Sequence, residues 1–235
     1  MGIRDSHGQA LTSSLFRGHT PEALVTIADA PFEEIKRVAK ARRCESLLLG
    51  LSEDPASPSA QLLEDLINHI ECQVAILHAR VGFDLDDATD FLVPVGGRGR
   101  HHHTRARLLG SLFRSKNRTV TYFAVVPAGS SDSAIRRRKR SLDRFARQEV
   151  PVQAKTLVVA SDDVVMAITE EAKGHQVVVL GLANLGGRRS FGKVASRIAR
   201  ETDCATIMVG AEIETTQQVM HGLKRLPGTI GQGFG

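Results

Sequence analysis

The chain has 235 residues, of which 42% are hydrophobic and 24% charged, and these proportions exclude an intrinsically disordered protein. Its length accommodates two domains of ordinary size, each with a core of its own. The net charge of +5 favours anionic partners such as nucleotides, nucleic acid or anionic lipid, but the excess lies largely in one local run.

The cysteine and aromatic content further narrows the class of protein to which the chain can belong. Three cysteines are too few and too dispersed for a disulfide framework, and we interpret Cys72 and Cys204 as small core residues at strand starts. Trp is absent and Tyr122 is the only tyrosine, so the core is aliphatic, which suits parallel β-structure. No run approaches the roughly 18 apolar residues of a membrane span, and no apolar signal segment opens the chain. We therefore expect a cytoplasmic protein.

The first predicted elements lie between residues 23 and 77. An apolar run at 23–28 precedes apolar residues at helical spacing around Ile35, which predicts a strand followed by a helix. Two further runs rich in Leu, Val and Ile, at 46–50 and 72–77, are typical of strands buried on both faces.

A longer series follows, in which five apolar runs predict strands and the four segments between them have helical spacing. Because strands and helices alternate, we expect a parallel sheet with helices on both faces and right-handed crossovers. The predicted strands are 91–95, 119–126, 156–161, 177–181 and 204–209, and the predicted helices include one through Leu109 and Phe113 and one at about 133–147.

The same order of runs occurs twice, at a separation of about 130 residues. The second occurrence lies inside the five-strand series, whereas the first has only three strands. We therefore predict an α/β protein with a doubly wound, parallel five-stranded sheet, as one complete and one partial copy. The predicted organisation is an N-terminal extension at 1–20, a partial copy at 21–81, a polar linker at 82–90, a complete copy at 91–211 and a flexible tail at 212–235.

Three segments of the longer series resemble the universal stress protein superfamily. Residues 91–97 are similar to that family's opening strand and first loop, and 181–184 followed by Gly192-Lys193 are similar to its glycine-rich nucleotide loop. Residues 204–209 are similar to its closing strand. The resemblance implies a Rossmann-like sheet that holds ATP or AMP at the carboxyl ends of its strands. It also implies pairing through last strands, as a homodimer or as an internal pseudo-dimer of the two copies.

The physical basis of such a site is the backbone. Glycines let the chain approach phosphate oxygens, and a helix that begins near Gly192 directs its unpaired N–H groups at the anion. We expect an adenine nucleotide or a similar anion between two loops, with Val95 and the Asp162 region at the adenosine end and no metal. The predicted site residues are Val95, Gly96, Gly97, Arg98, Asp162, Gly181, Asn184, Gly186, Gly187, Gly192 and Lys193.

Three positions depart from the nucleotide-binding members of that family. Gly96 stands where they have Asp, Asn184 replaces the second glycine of their loop, and Lys193 replaces a hydroxyl residue. A lysine supplies charge to a phosphate but does not reproduce the geometry of a hydroxyl. These departures keep open a second hypothesis, an interaction module without nucleotide. The Gly96-Gly97 loop and the duplication also resemble cytoplasmic domains of bacterial amino acid permeases and cation antiporters, which implies regulation of a membrane transporter and membrane association through it.

A third hypothesis is a nucleotide-hydrolysing enzyme, because residues 187–193 match the P-loop spacing G-x-x-x-x-G-K. Val194 cannot coordinate magnesium as Ser or Thr does, and the loop begins well beyond the strand that ends near Leu180. No nucleophile is paired with a base in the sequence. We therefore expect no catalytic residues.

Three polar patterns have structural interpretations. The consecutive histidines at 101–103 point in different directions from a helix start and cannot share one metal ion. The basic run at 136–140 suits nucleic acid or anionic lipid, but it has no interleaved aromatic residues for base stacking, so we favour a solvated helix face and expect no nucleic acid. Asp29 and Asp162 recur after predicted strands, where they are either helix caps or ligand contacts, and we favour helix caps.

Overall fold

The computed structural model describes residues 27–51, 57–96, 102–114, 117–149, 154–186 and 188–210. Within these residues, no helix has the length and apolar character needed to cross a bilayer. The helices are α1 (Pro31–Ala41), α2 (Pro58–Asn68), α3 (His102–Leu112), α4 (Asp132–Glu149), α5 (Val164–Ala172) and α6 (Gly192–Glu201), and the strands are β1 (Ser46–Leu51), β2 (Gln73–His78), β3 (Asp90–Pro94), β4 (Thr119–Val126), β5 (Ala154–Ala160), β6 (Val177–Gly181), β7 (Ala183–Leu185), β8 (Arg188–Ser190) and β9 (Ala205–Gly210).

Seven strands form one sheet in the order β1-β2-β9-β6-β3-β4-β5. The five adjacent strands from β9 to β5 are all parallel, so the predicted doubly wound five-stranded sheet is confirmed. Every residue of β9 and the first four residues of β6 are buried. Continuous apolar runs occupy these central positions because helices cover both faces of the sheet.

The remaining two strands join the sheet through an antiparallel seam. β1 and β2 are parallel to each other, and β2 pairs antiparallel with β9, with Val74 opposite Gly210 and His78 opposite Thr206. β2 and β9 are the last strands of the predicted partial copy and the predicted complete copy, and they pair with each other within one chain. The seam gives β2 a second hydrogen-bonded neighbour, which the partial copy lacks on its own.

Helices cover the sheet in two layers. α3 and α4 pack on one face, around buried residues that include Phe91 and Tyr122. α1, α2, α5 and α6 pack on the other face, around Leu92, Ile67 and Ile198. The second core is continuous across the seam, because Ile67 comes from the partial copy and Ile198 from the complete one.

The structure describes the end of the run predicted as a strand at 23–28 and the whole of the predicted linker at 82–90. Ile27 and Ala28, the described end of the run at 23–28, are outside any strand, and the rest of that run lies outside the described residues. The predicted linker at 82–90 is fixed to the protein, because the buried Arg118 guanidinium donates to the carbonyls of Leu85 and Ala88 at 2.8 and 2.9 Å. The proposed extension at 1–20 and tail at 212–235 also lie outside the described residues.

Candidate functional site

The strand ends of the predicted site meet at one edge of the sheet. Val95 and Gly96 follow β3, and Gly181 ends β6, which is the parallel neighbour of β3. Phe91 lies opposite Val177 in this pair, which places Val95 level with Gly181. The structure therefore brings this part of the predicted site together. Gly97 and Arg98 lie outside the described residues.

A residue that the sequence analysis missed also reaches this edge. Arg138 of α4 donates from Nη2 to the Val95 carbonyl at 2.7 Å. Its neighbour Lys139 donates from Nζ to the Thr156 hydroxyl at 2.7 Å. The basic run is thus divided between residues directed at the sheet and residues directed at solvent. Helical spacing separates the two sets, and that signal was available in the sequence.

Asp162 joins two loops at the carboxyl edge and does not cap a helix. Its carboxylate accepts a bond from the Ala128 N–H at 3.0 Å, which ties the end of β5 to the end of β4. The cap of α5 is Asp163, which accepts from the Met166 N–H at 2.8 Å. The predicted cap was wrong by one residue, because only the residue directly before the helix reaches the free amides of its first turn.

The predicted cap at Asp29 is also wrong. The residue that precedes α1 is Ala30, and no side chain caps that helix. Pro31 at its first position has no N–H to satisfy, which lowers the need for a cap.

The predicted nucleotide loop folds as a β-hairpin. β7 and β8 pair antiparallel, with Asn184 opposite Arg189 and Leu185 opposite Arg188. Gly186 forms the turn with a φ of 61°, a conformation that favours glycine, and Gly187 lies outside the described residues. The backbone from Arg188 to Ser190 is therefore extended and paired, whereas a P-loop needs its amides turned towards a phosphate.

The hairpin is bound to α2 of the partial copy. Asn68 forms two bonds with the Arg189 backbone, from Nδ2 to the carbonyl at 2.8 Å and from the amide to Oδ1 at 2.7 Å. The Arg189 guanidinium is buried and donates to the Ile67 carbonyl at 2.9 Å. Arg188 forms an exposed ion pair with Asp65 at 2.8 Å. These contacts hold the hairpin across the seam.

The start of α6 already has an anionic partner. The Phe191 N–H, directly before the helix, donates to Glu64 Oε1 of α2 at 2.7 Å. Gly192 opens the helix with a φ of 75°, and a Cβ there would lie 3.1 Å from the Ala183 Cβ. A carboxylate at this position satisfies an amide and interacts with the positive end of the helix dipole, as a phosphate would.

The remaining predicted residue, Lys193, is exposed and follows Gly192 in the first turn of α6. It lines an open groove of about 600 Å³ between α5 and α6, together with Asp163 and Arg197. The described site residues belong to two sets of elements. Val95, Gly96, Asp162 and Gly181 lie at the carboxyl edge of the sheet, while Asn184, Gly186, Gly192 and Lys193 belong to the hairpin and the helix that follows it.

The described residues offer little reactive chemistry. No group of three or more His, Cys, Asp or Glu side chains among them has the arrangement of a metal site. Burial, aided by the charge of Asp90, raises the pKa of the Cys204 thiol to about 12, so this thiol stays protonated and unreactive at neutral pH.

No known protein family matches the chain, and no curated protein matches it. Solved structures do resemble it. The cytoplasmic domain of a prokaryotic cation chloride cotransporter has a TM-score of 0.62 at 12% identity, over 92% of this chain and 83% of that one. A universal stress protein from Archaeoglobus fulgidus DSM 4304 has a TM-score of 0.52 at 12% identity, over 90% and 76% of the two chains. A protein of unknown function from Pseudomonas aeruginosa PAO1 has a TM-score of 0.55 at 14% identity, over 90% and 79%.

At these identities the likeness concerns the fold alone. The fold is that of universal stress proteins and of a transporter's cytoplasmic domain, which confirms at this level the resemblance inferred from the sequence. Each of these matches covers at least 90% of this chain.

Proposed function

We propose that this chain is a non-catalytic regulatory module of the universal stress protein fold that acts through contact with a protein partner rather than through a bound nucleotide. The bond from the Phe191 N–H to Glu64 is the observation that carries the proposal. A nucleotide phosphate at the start of α6 would lie beside the Glu64 carboxylate, and two anions at one amide repel each other. The hairpin's contacts with α2 further oppose its use as a phosphate-binding loop.

The partner class we favour is a membrane transporter. The similar structure with the TM-score of 0.62 is a transporter's cytoplasmic domain, and its likeness covers both copies of this chain. The hairpin at 183–190 and the segment at 82–90 are bonded to the rest of the protein, which suits a module that transmits contact rather than chemistry. On this proposal the protein works in the cytoplasm, at the membrane.

Calorimetric titration with ATP, AMP and inorganic phosphate tests whether the protein binds a nucleotide. We expect no saturable heat from the wild-type chain at millimolar ligand. Glu64→Ala removes the internal anion, so it should bind phosphate or AMP weakly, whereas Asp65→Ala, on the same helix but in an exposed ion pair, should not. Saturable binding of ATP or AMP by the wild type would overturn the proposal.

A second candidate is an adenine nucleotide, ATP or AMP, held at the carboxyl edge itself. It is favoured by the closeness of Val95, Gly96 and Gly181 at adjacent strand ends. Gly96→Val separates the candidates, because a Cβ at this position meets no atom of the described residues within 4 Å and the fold should tolerate it. If the second candidate is correct, the wild type binds AMP and Gly96→Val loses that binding at unchanged thermal stability.

A further inference from the structure

Five arginines form one exposed stripe along α4. At 3.6 residues per turn, Arg136, Arg137, Arg140, Arg144 and Arg147 fall within an arc of about 100°, on the side opposite the helix face that packs on the sheet. The stripe is about 16 Å long. No apolar or aromatic residue lies among these side chains on the exposed arc. We refer to these five residues as the arginine stripe.

Carboxylates elsewhere in the described structure do not neutralise the stripe. None of the five arginines forms a hydrogen bond or an ion pair with another described residue. The acidic residues of α4 are mainly engaged elsewhere. Asp143 accepts a bond from Lys139 at 3.4 Å, and Glu149 is buried against Arg105. A hydrogen bond from the Thr156 hydroxyl lowers the Asp143 pKa, and the charge of only one stripe residue, Arg147, helps to lower it. Asp132 lies at the first position of the helix, outside the stripe. The positive charge of the stripe therefore faces solvent.

The two helix layers differ in charge. α3 and α4 together carry nine Arg or Lys residues and three Asp or Glu residues. The four helices on the opposite face carry six basic and seven acidic residues. The positive charge of the helices is thus concentrated on one face of the sheet, although the net charge of the whole chain is only +5. A molecule with this asymmetry orients its α3–α4 face towards an extended anionic surface.

We propose that the arginine stripe docks on the surface of a bilayer that contains anionic lipids. Clusters of Lys and Arg near such a surface each add to the attraction, and phosphate and carboxylate headgroups are suitable partners for guanidinium groups. The absence of apolar residues in the stripe means that α4 lies on the headgroups and does not insert. A single-stranded nucleic acid is disfavoured because the stripe offers no aromatic platform for bases. This inference is independent of the proposed function.

Vesicle co-sedimentation of the full chain tests the docking. The vesicles contain phosphatidylcholine alone or with about 30% phosphatidylserine, in about 50 mM or about 300 mM NaCl. We expect binding only with phosphatidylserine at low salt, because screening weakens the attraction of exposed charges. Arg137→Gln/Arg140→Gln/Arg144→Gln should lower the partition coefficient roughly a hundredfold.

The matched control removes three exposed cations from the opposite layer, as Lys40→Gln/Lys193→Gln/Arg200→Gln. It changes the net charge equally and should lower partitioning less than about threefold. Far-UV circular dichroism and thermal melting establish that both triple variants are folded. The proposal fails if phosphatidylserine vesicles do not bind the wild type at low salt, or if both variants lose binding equally. It also fails if a random DNA duplex binds more tightly than the vesicles and loses binding with the stripe variant.

Discussion

Cys204 lies directly before β9, and burial of its thiol, with the nearby Asp90 carboxylate, raises its pKa to about 12. The thiol of the unfolded chain has an ordinary pKa near 9, so it ionises at a lower pH than the folded one. The raised folded-state pKa therefore contributes stability that is complete below about pH 9 and is lost as the pH rises towards 12, by about 1.4 kcal/mol per pH unit. Urea denaturation between these pH values should show a smaller loss in Cys204→Ala than in the wild type. An equal loss in the two proteins would contradict this assignment, and Cys44→Ala, at a half-buried site outside the strands, is the control.

A second residue-scale prediction concerns the ion pair between α3 and α4. The Arg105 and Glu149 side chains are only 3% and 4% exposed, and their closest atoms are 2.8 Å apart. Removal of one partner leaves a buried charge, so Arg105→Met and Glu149→Leu should each lower the free energy of unfolding by about 3–5 kcal/mol. The double variant should recover most of that loss, because two apolar side chains need no partner. A double-mutant cycle by chemical denaturation measures the coupling energy between the two side chains. If the losses in the free energy of unfolding are additive, the two side chains are not coupled.

At the scale of elements, the β7–β8 hairpin should depend on a single side chain of α2. Asn68→Ala removes both bonds to the Arg189 backbone and leaves those backbone groups without their partner, at a cost of about 1–3 kcal/mol. Hydrogen exchange should then become faster in residues 183–190 more than elsewhere. Asp65→Ala, which breaks only the exposed pair with Arg188, should have little effect. Unchanged protection of the hairpin in Asn68→Ala would show that Asn68 is not the residue of α2 that holds it.

At the scale of the whole molecule, the two copies should unfold together, because one core extends across the seam. Tyr122 is the only tyrosine and there is no tryptophan, so tyrosine fluorescence reports on the complete copy alone. Ile67→Ala, in the partial copy, should cost about 2–5 kcal/mol through the cavity it leaves. The Tyr122 and far-UV transitions should shift equally. A tyrosine transition that does not move would show two independent units.

Most of the sheet follows from local pattern. The runs at 177–181 and 204–209 are apolar at every position except Thr206, and strands buried on both faces need a composition of this kind. The helices follow from apolar spacing in the same way, since α4 begins and ends within two residues of the predicted 133–147. The local pattern of apolar residues is sufficient to predict these strands and helices, because the helices that cover a strand lie close to it in the sequence.

The candidate site is predicted less accurately from the sequence than the sheet is, because its details depend on contacts between residues that are distant in the chain. Glu64 and Asn68 come from a helix more than 100 residues before the hairpin, and nothing near residues 183–190 in the sequence indicates them. The glycines of this segment are typical of both a phosphate loop and a tight hairpin turn. Only the tertiary contact with α2 distinguishes the two, and a single sequence does not contain that information in local form.

The antiparallel seam also determines the order in which the strands of the protein can pair during synthesis. β2 leaves the ribosome long before its partner β9, since Val74 pairs with Gly210. Throughout that interval one edge of β2 has no strand to bond, and unpaired edges attract foreign strands. A nascent chain released before β9 is translated therefore carries a permanently open edge. Such premature products should be captured by chaperones or degraded, while a chain that includes β9 closes the edge of β2 itself.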